Sequence, residues 1–298
     1  MRPHRTTAVV VRWRGGGEVD RCLRALREHG GRNLDRVVLV DSGSGDGGAE
    51  RLTAAFPAVD VVALAANRSF AFAANQGAAR TDSPFLLLLN PDTEVTAGAL
   101  DALGEDLAGR PDAAGTVPLL IGRDGAPQHR WQLRRLPGLG RLAAGRGGAP
   151  MFPFREPAEP APVEQPAAAA WLVQRGVWDA LGGLDESFAP AWWEDVDFCA
   201  RLRRLVRDAG STTTGFRVVP RARVVHTGGS SLSSLSDAEF LIAFHRNLLR
   251  YAARHHPDHL ASIRVGVTLS LQARALLLPA RRAAYLVAAR SLGVMRDT

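Results

Sequence analysis

Four short apolar runs constrain this chain more than any other feature. Residues 8–13, 37–40, 59–64 and 85–89 are β-branched or leucine-rich, and stretches with helical spacing separate them. In 18–29, Val19, Cys22, Leu23 and Leu26 recur at helical intervals; 70–80 and 97–109 read likewise, and the helix after Gly48 stops at Pro57. Strands that are apolar throughout must be covered on both faces, and strand–helix alternation makes neighbouring strands parallel. The expectation is an α/β domain whose ligands sit beyond the carboxyl ends of its strands. Asp41 and Asp92 both fall at such an end.

Further along, the pattern changes. Residues 138–166 are rich in Gly, Ala, Pro and Arg without a period, which reads as a mobile loop, the usual character of a substrate lid. A short strand follows at 167–174, a helix runs to about Val206, strands are expected at 216–219 and 223–225, and everything after Asp237 is helical. The expected division is a domain over 1–235, made of a nucleotide-binding half (1–125), the loop and an acceptor or catalytic half (167–235), followed by a helical extension over 236–298.

Composition excludes several classes. The 298 residues hold 30 glycines and 18 prolines, well below the roughly 25–30% of low-complexity chains. Both cysteines, Cys22 and Cys199, lie in helical patterns as core fillers, so no disulfide framework is expected. The apolar run at 8–11 is too short for a signal peptide, and Arg274, Pro279, Arg281 and Arg282 interrupt the C-terminal apolar stretches. A soluble, reduced, cytoplasmic protein is the expectation. All 37 basic residues are arginine and 30 are acidic, a formal charge of +7. Such an excess suits anionic phosphates or lipid headgroups and does not by itself imply nucleic acid.

Four motifs carry chemistry. The turn Asp41-Ser42-Gly43-Ser44-Gly45-Asp46-Gly47-Gly48 follows a strand. It fits a helix-capping turn, and it fits the cofactor loop of a methyltransferase, except that the next strand ends Leu64-Ala65-Ala66 without the carboxylate such a loop needs. Asn90-Pro91-Asp92 closes four leucines, where an aspartate either caps a helix or holds a hard cation on substrate phosphates. Glu194-Asp195-Val196-Asp197 opens a helix behind Trp192 and Trp193. Helix-dipole complementarity accounts for Asp197, while the aromatic faces make a sugar platform beside Glu194 and Asp195. His226 precedes Thr-Gly-Gly-Ser-Ser, a candidate metal ligand beside backbone that can approach an anion. His255, His256 and His259 read as a solvated helix end.

The order of the motifs resembles the family 2 inverting glycosyltransferases, in particular a rhamnosyltransferase-like branch. The resemblance is carried by VLVDSGSGDGG at 38–48, NRSFAFAANQGAA at 67–79, LLLLNPDTEV at 86–95, GGLDESF at 182–188, WWEDVDFCARLRR at 192–204 and VVHTGGSS at 224–231. The tail with Phe244-His245-Arg246-Asn247 and Tyr251 is also similar to that branch. It departs at Val11-Arg12-Trp13-Arg14, where an Asn-Tyr-Asn-like stretch is usual, at Arg68-Ser69, at Ala74 and in the extra residues 211–214.

The resemblance implies a GT-A type nucleotide-diphospho-sugar transferase fold with a mixed sheet, parallel in its N-terminal half. It implies metal-dependent inverting transfer from a uridine- or thymidine-diphosphate sugar, rhamnose among the sugars, to a saccharide or polyprenyl-linked acceptor in cell-wall or surface polysaccharide synthesis. Asp41, Ser44, Asn67, Asn75, Asn90 and Asp92 would bind the donor, with Asp41 on the pyrimidine. Asp92 and His226 would hold Mn2+ or Mg2+, and Asp195 would be the base with Glu194 beside it. The C-terminal arginines and leucines suit either a peripheral contact with the inner face of the cell membrane or a helix packed on the domain. A catalytically inactive sugar-binding module and a sugar nucleotidyltransferase are the alternatives.

Overall fold

The computed structural model describes residues 5–208, 214–228 and 235–294. The extra residues 211–213 and the stretch 229–231 after the histidine motif lie outside the described residues.

The N-terminal half alternates as its apolar runs dictate. β1 (Thr6–Arg12), α1 (Gly17–His29), β2 (Leu34–Asp41), α2 (Gly48–Ala55), β3 (Asp60–Ala63), α3 (Phe70–Ala78) and β4 (Phe85–Leu89) follow in turn. Then come β5 (Thr93–Val95), α4 (Ala99–Gly109), β6 (Ala113–Ile121), α5 (His129–Gln132), β7 (Leu133–Arg134) and α6 (Leu139–Ala143). The remainder is β8 (Ala161–Val163), β9 (Gln165–Pro166), β10 (Ala170–Gln174), α7 (Arg175–Ala180), α8 (Glu194–Asp208), β11 (Thr214–His226), α9 (Asp237–His255), α10 (Leu260–Leu277) and α11 (Arg282–Val294).

One sheet runs in the order β3-β2-β1-β4-β10-β6-β11-β5, with β8 on β11. The first four strands pair in parallel. β10 is antiparallel to both β4 and β6, and β11 is parallel to β6, so β4, β6 and β11 share one direction. Alternate residues serve opposite faces. Val9, Val11, Leu86 and Leu88 meet α3, α8 and the C-terminal helices, whereas Ala8, Val10, Leu87 and Leu89 meet α1, α2 and α4. The runs are apolar throughout because both faces are buried. Cys22 belongs to one core and Cys199 to the other, as fillers.

The central strand β6 gave no sequence signal, because Pro118 interrupts it and removes a ladder donor. Buried Gln132 serves the backbone that lies past the pairing with β10: its Nε2 donates to Pro118 O (2.6 Å) and its Oε1 accepts from Leu120 N (3.0 Å). Those bonds fix α5 against the sheet.

Residues 138–166 carry α6, β8 and β9, elements too short to show a period. Ser270 Oγ and Arg274 Nη2 both donate to Ala144 O at 2.9 Å, tying the segment to α10. His255 is likewise no solvated helix end. Its ring lies against buried Asp197, because the end of α9 folds back over α8; His259 is exposed, as expected. α10 buries Ile263, Val267, Leu271 and Ala275 and exposes Val265, Leu269, Leu276 and Leu277. The span Pro257–Leu277 is long and apolar enough to cross a bilayer by length and composition, even though Arg274 interrupts it.

Candidate active site

A cavity of about 600 Å3 lies beyond the carboxyl ends of β4 and β11. Asn90, Asp92, Glu194, Asp195 and His226 all line it, together with Gln128, Trp131, Arg134 and Trp192. Residues more than 130 positions apart therefore share one site, as strand direction requires.

Asp92 follows β4 and His226 ends β11. The chain after His226 turns back on the aspartate, with Thr227 N donating to Asp92 O at 3.0 Å. His226 Nε2 lies 3.5 Å from Asp92 Oδ1, and both side chains are buried. Gln128 fixes the ring. Its Nε2 donates to His226 O (2.8 Å), which turns its Oε1 toward His226 Nδ1 (2.9 Å). Nδ1 must then carry the proton, and the Nε2 lone pair faces the carboxylate. Burial pushes the imidazole below its ordinary value, against the pull of Asp92. Two lone-pair donors facing each other without a shared proton fit a divalent cation. Among the described residues no three His, Cys, Asp or Glu side chains converge on one point. Two protein ligands with substrate phosphate completing the shell is the habit of Mg2+-like ions.

The carboxylates that open α8 have three different environments. Burial, reinforced by the charge of Asp195, pushes the Glu194 carboxyl up to about 8, and its Oε2 has no partner. Asp195 Oδ1 accepts from Val196 N (2.8 Å), and Oδ2 accepts from Gln165 Nε2 (3.0 Å) and Arg134 Nη2 (3.4 Å). Asp197 is fully buried. Burial opposes its charge, but the His255 hydrogen bond (2.8 Å) and the charges of Arg201 and Arg254 outweigh that and hold the carboxyl below its ordinary value. Asp197 therefore locks α8 in place.

Trp192 and Trp193 precede this cluster with φ of 72° and 78°, the left-handed region. Bulky residues there cost on the order of 1–3 kcal/mol each. The pair divides. Both line the cavity, but Trp193 is nearly fully buried and packed on Phe244 and Tyr251, while Trp192 is half-buried with its ring edge-on to Phe240.

The other donor-side candidates lie outside the cavity lining. Asp41 is buried, its Oδ2 paired with Arg12 and its Oδ1 accepting from Ser44 N. Ser44 Oγ accepts from Arg14 N, and Asn67 Oδ1 accepts from Ser42 Oγ. Gly43 is at φ 65° with the Ala66 backbone against its α-carbon, which no side chain would permit. Asn75 holds the turn after α7: its Nδ2 donates to Leu184 O and Glu186, and its Oδ1 accepts from Leu184 N. The sequence pointed to none of Gln128, Trp131, Arg134 or Gln165 as site residues. Gln128 acts on a residue 98 positions away, and Gln165 lies in the aperiodic segment.

Residues 8–156 match the profile of the family described as Glycosyl transferase family 2. Over 269 residues the chain is 27% identical to N-acetylglucosaminyl-diphospho-decaprenol L-rhamnosyltransferase of Mycobacterium tuberculosis, strains CDC 1551 / Oshkosh and H37Rv, covering 83% of this chain and 84% of the relative. Among solved structures, GalNAc-T7 with UDP, GalNAc and Mn2+ gives a TM-score of 0.63 at 15% identity, over 94% of this chain but only 55% of that one. S. aureus TarS 1-349 gives 0.53 at 11% identity, over 97% and 89%. The mannosyltransferase PcManGT from Pyrobaculum calidifontis with GDP-Man and Mn2+ gives 0.51 at 15%, over 98% and 76%. The fold is of the GT-A glycosyltransferase type.

Gln128→Ala should free the His226 ring. Mn2+-dependent binding of a nucleoside diphosphate should weaken by about 10–100-fold, the usual effect of losing an outer-sphere partner, as calorimetry would show. Unchanged affinity would mean that the imidazole is not a ligand.

Proposed function

Given that the chain belongs to glycosyltransferase family 2, we propose that it transfers a sugar from a nucleoside diphosphate sugar to an acceptor hydroxyl with inversion at the anomeric carbon. One observation carries this reading: a single cavity gathers the Asp92–His226 pair and the Glu194–Asp195 pair. The first pair suits a charged diphosphate and the second suits a proton.

Asp92 and His226 would hold Mn2+ or Mg2+, which supplies counter-charge for a leaving diphosphate. Asp195 takes the proton of the acceptor hydroxyl as its oxygen bonds to the anomeric carbon. The bond to the diphosphate breaks, and its electron pair leaves with the phosphate oxygen. No covalent intermediate on the protein is needed, so the configuration inverts. Glu194 is a poor candidate for this base, because a carboxyl titrating near 8 is largely protonated at neutral pH. It serves instead as a hydrogen-bond donor to a sugar or acceptor oxygen. Arg134 and Gln165 hold Asp195 in place.

The donor is a uridine- or thymidine-diphosphate sugar. A carboxylate offers about four lone-pair sites; on Asp41, those not used by Arg12 and Ser44 would take the imide N–H of the base. The acceptor is a polyprenyl-diphosphate-linked saccharide and the sugar rhamnose, a reading supported by the name of the 27%-identical relative. On this reading the enzyme would act in cell-wall polysaccharide synthesis, and we propose that it does so on the cytoplasmic side of the membrane. The C-terminal helices support a membrane contact: residues 260–294 hold five arginines and no carboxylate, and α10 exposes an apolar stripe. Arg274 is turned inward onto Ala144 O, but Arg282 and Arg290 are exposed, and exposed arginines near an apolar stripe suit anionic lipid.

Asp195→Asn should lower turnover by about 10²–10⁴-fold, the usual contribution of a general base, with nucleoside diphosphate affinity nearly unchanged. Steady-state transfer and calorimetry test this, and near wild-type turnover would place the base elsewhere. Leu269→Asp with Leu277→Asp should abolish sedimentation with phosphatidylglycerol vesicles. Equal sedimentation, or none for the wild type, would contradict the membrane contact.

A further inference from the structure

The segment leading into the proposed base is held in an unfavourable shape by the C-terminal extension. Trp192 and Trp193 both have positive φ, and Asp195 follows two residues later. Asn247 on α9 is fully buried beneath this segment. Its Nδ2 lies 3.3, 2.9 and 3.1 Å from the carbonyl oxygens of Ala189, Ala191 and Trp192. Its Oδ1 accepts from Arg250 Nη1 at 2.8 Å, which orients the amide with nitrogen toward the loop. Arg246 adds a bond to Ala189 O at 2.9 Å.

Aromatic contacts repeat the pattern from the same helix. Phe240 meets the Trp192 ring, and Phe244 and Tyr251 meet the Trp193 ring. Positions 240, 244, 247 and 251 form one helical face. Two hydrogens on one amide serve three carbonyls, and two of them, Ala191 O and Trp192 O, belong to the peptides that enter the left-handed residues Trp192 and Trp193. No apolar side chain of the same size could satisfy them.

We propose that Asn247 is a positioning residue for Asp195, so that the helical extension is a working part of the active site. Its amide holds the tryptophan pair in the conformation that starts α8 with the carboxylate facing the cavity beside Arg134 and Gln165. The inference rests on Asp195 being the base.

The test uses the full chain. Asn247→Ala and the isosteric Asn247→Asp are compared with wild type and Asp195→Asn, using thymidine diphosphate rhamnose and a polyprenyl-diphosphate-linked N-acetylglucosamine as substrates. For both Asn247 variants we expect kcat to fall at least tenfold with donor KM within twofold. Thymidine diphosphate affinity with Mn2+ should hold, and the near-ultraviolet circular dichroism of the tryptophans should change. The proposal fails if kcat stays within twofold of wild type or if nucleotide binding falls in parallel with turnover. It also fails if both variants melt below the assay temperature, or if no transfer is seen in the wild type while the tryptophan bands are unmoved by either variant. Asp195→Asn at near wild-type turnover removes the base assignment whatever Asn247 does. An inactive Asp195→Asn beside a fully active Asn247→Ala removes only the positioning role.

Discussion

Burial of both faces of the sheet is the constraint from which the site follows. β1, β2, β4, β6 and β11 share one direction and contribute alternate side chains to two cores. A polar group inside such a strand would lose water on either side, so functional groups collect where strands end. Asp41 ends β2, Asn90 and Asp92 follow β4, and His226 ends β11. Past its pairing with β10, β6 leaves Pro118 O and Leu120 N to the Gln132 amide. The same bonds seat α5, which brings Trp131, and Gln128 at its N-cap, to the histidine.

Environment, more than residue type, divides the labour among the acids. Glu194 is buried with Oε2 unpartnered among the described residues, and burial beside Asp195 pushes its carboxyl up, toward the neutral form. Asp195, one residue on, has Arg134 and Gln165 on a single oxygen. Asp197 faces Arg201, Arg254 and His255 and braces the helix. Three carboxyls in one turn would repel one another if all were bare. Keeping one neutral and pairing the others removes most of that repulsion. The two strained tryptophan backbones just before them survive because α9 packs against both rings and its Asn247 bonds the carbonyls of Ala191 and Trp192.

Much of this was legible in the sequence, for a physical reason. Strand runs, helix periods and the Asp41, Asp92, Asp195 and His226 motifs are local patterns, and each maps to one element. What the sequence hid is non-local or irregular. β6 was masked by Pro118, and the segment 138–166 by elements only two to five residues long. Gln128, Arg134 and Gln165 act through partners 98, 61 and 30 positions away, and no short-range signature encodes such contacts. The reading of His255 as solvent-facing failed because its partner, Asp197, lies 58 residues earlier. Trp193, grouped with Trp192 as a sugar platform, does border the cavity, but most of its ring is spent on Phe244 and Tyr251, contacts 51 and 58 positions away.

On the proposed function, Asp92 and the Gln128-oriented His226 together would hold the cation that meets the donor diphosphate. Anomalous diffraction from crystals grown with Mn2+ and thymidine or uridine diphosphate tests it most directly. A single strong peak is expected within bonding distance of Asp92 and His226 Nε2, with the diphosphate oxygens completing its shell. A peak bound elsewhere, or an ordered diphosphate in the cavity without a metal at these two side chains, would contradict it.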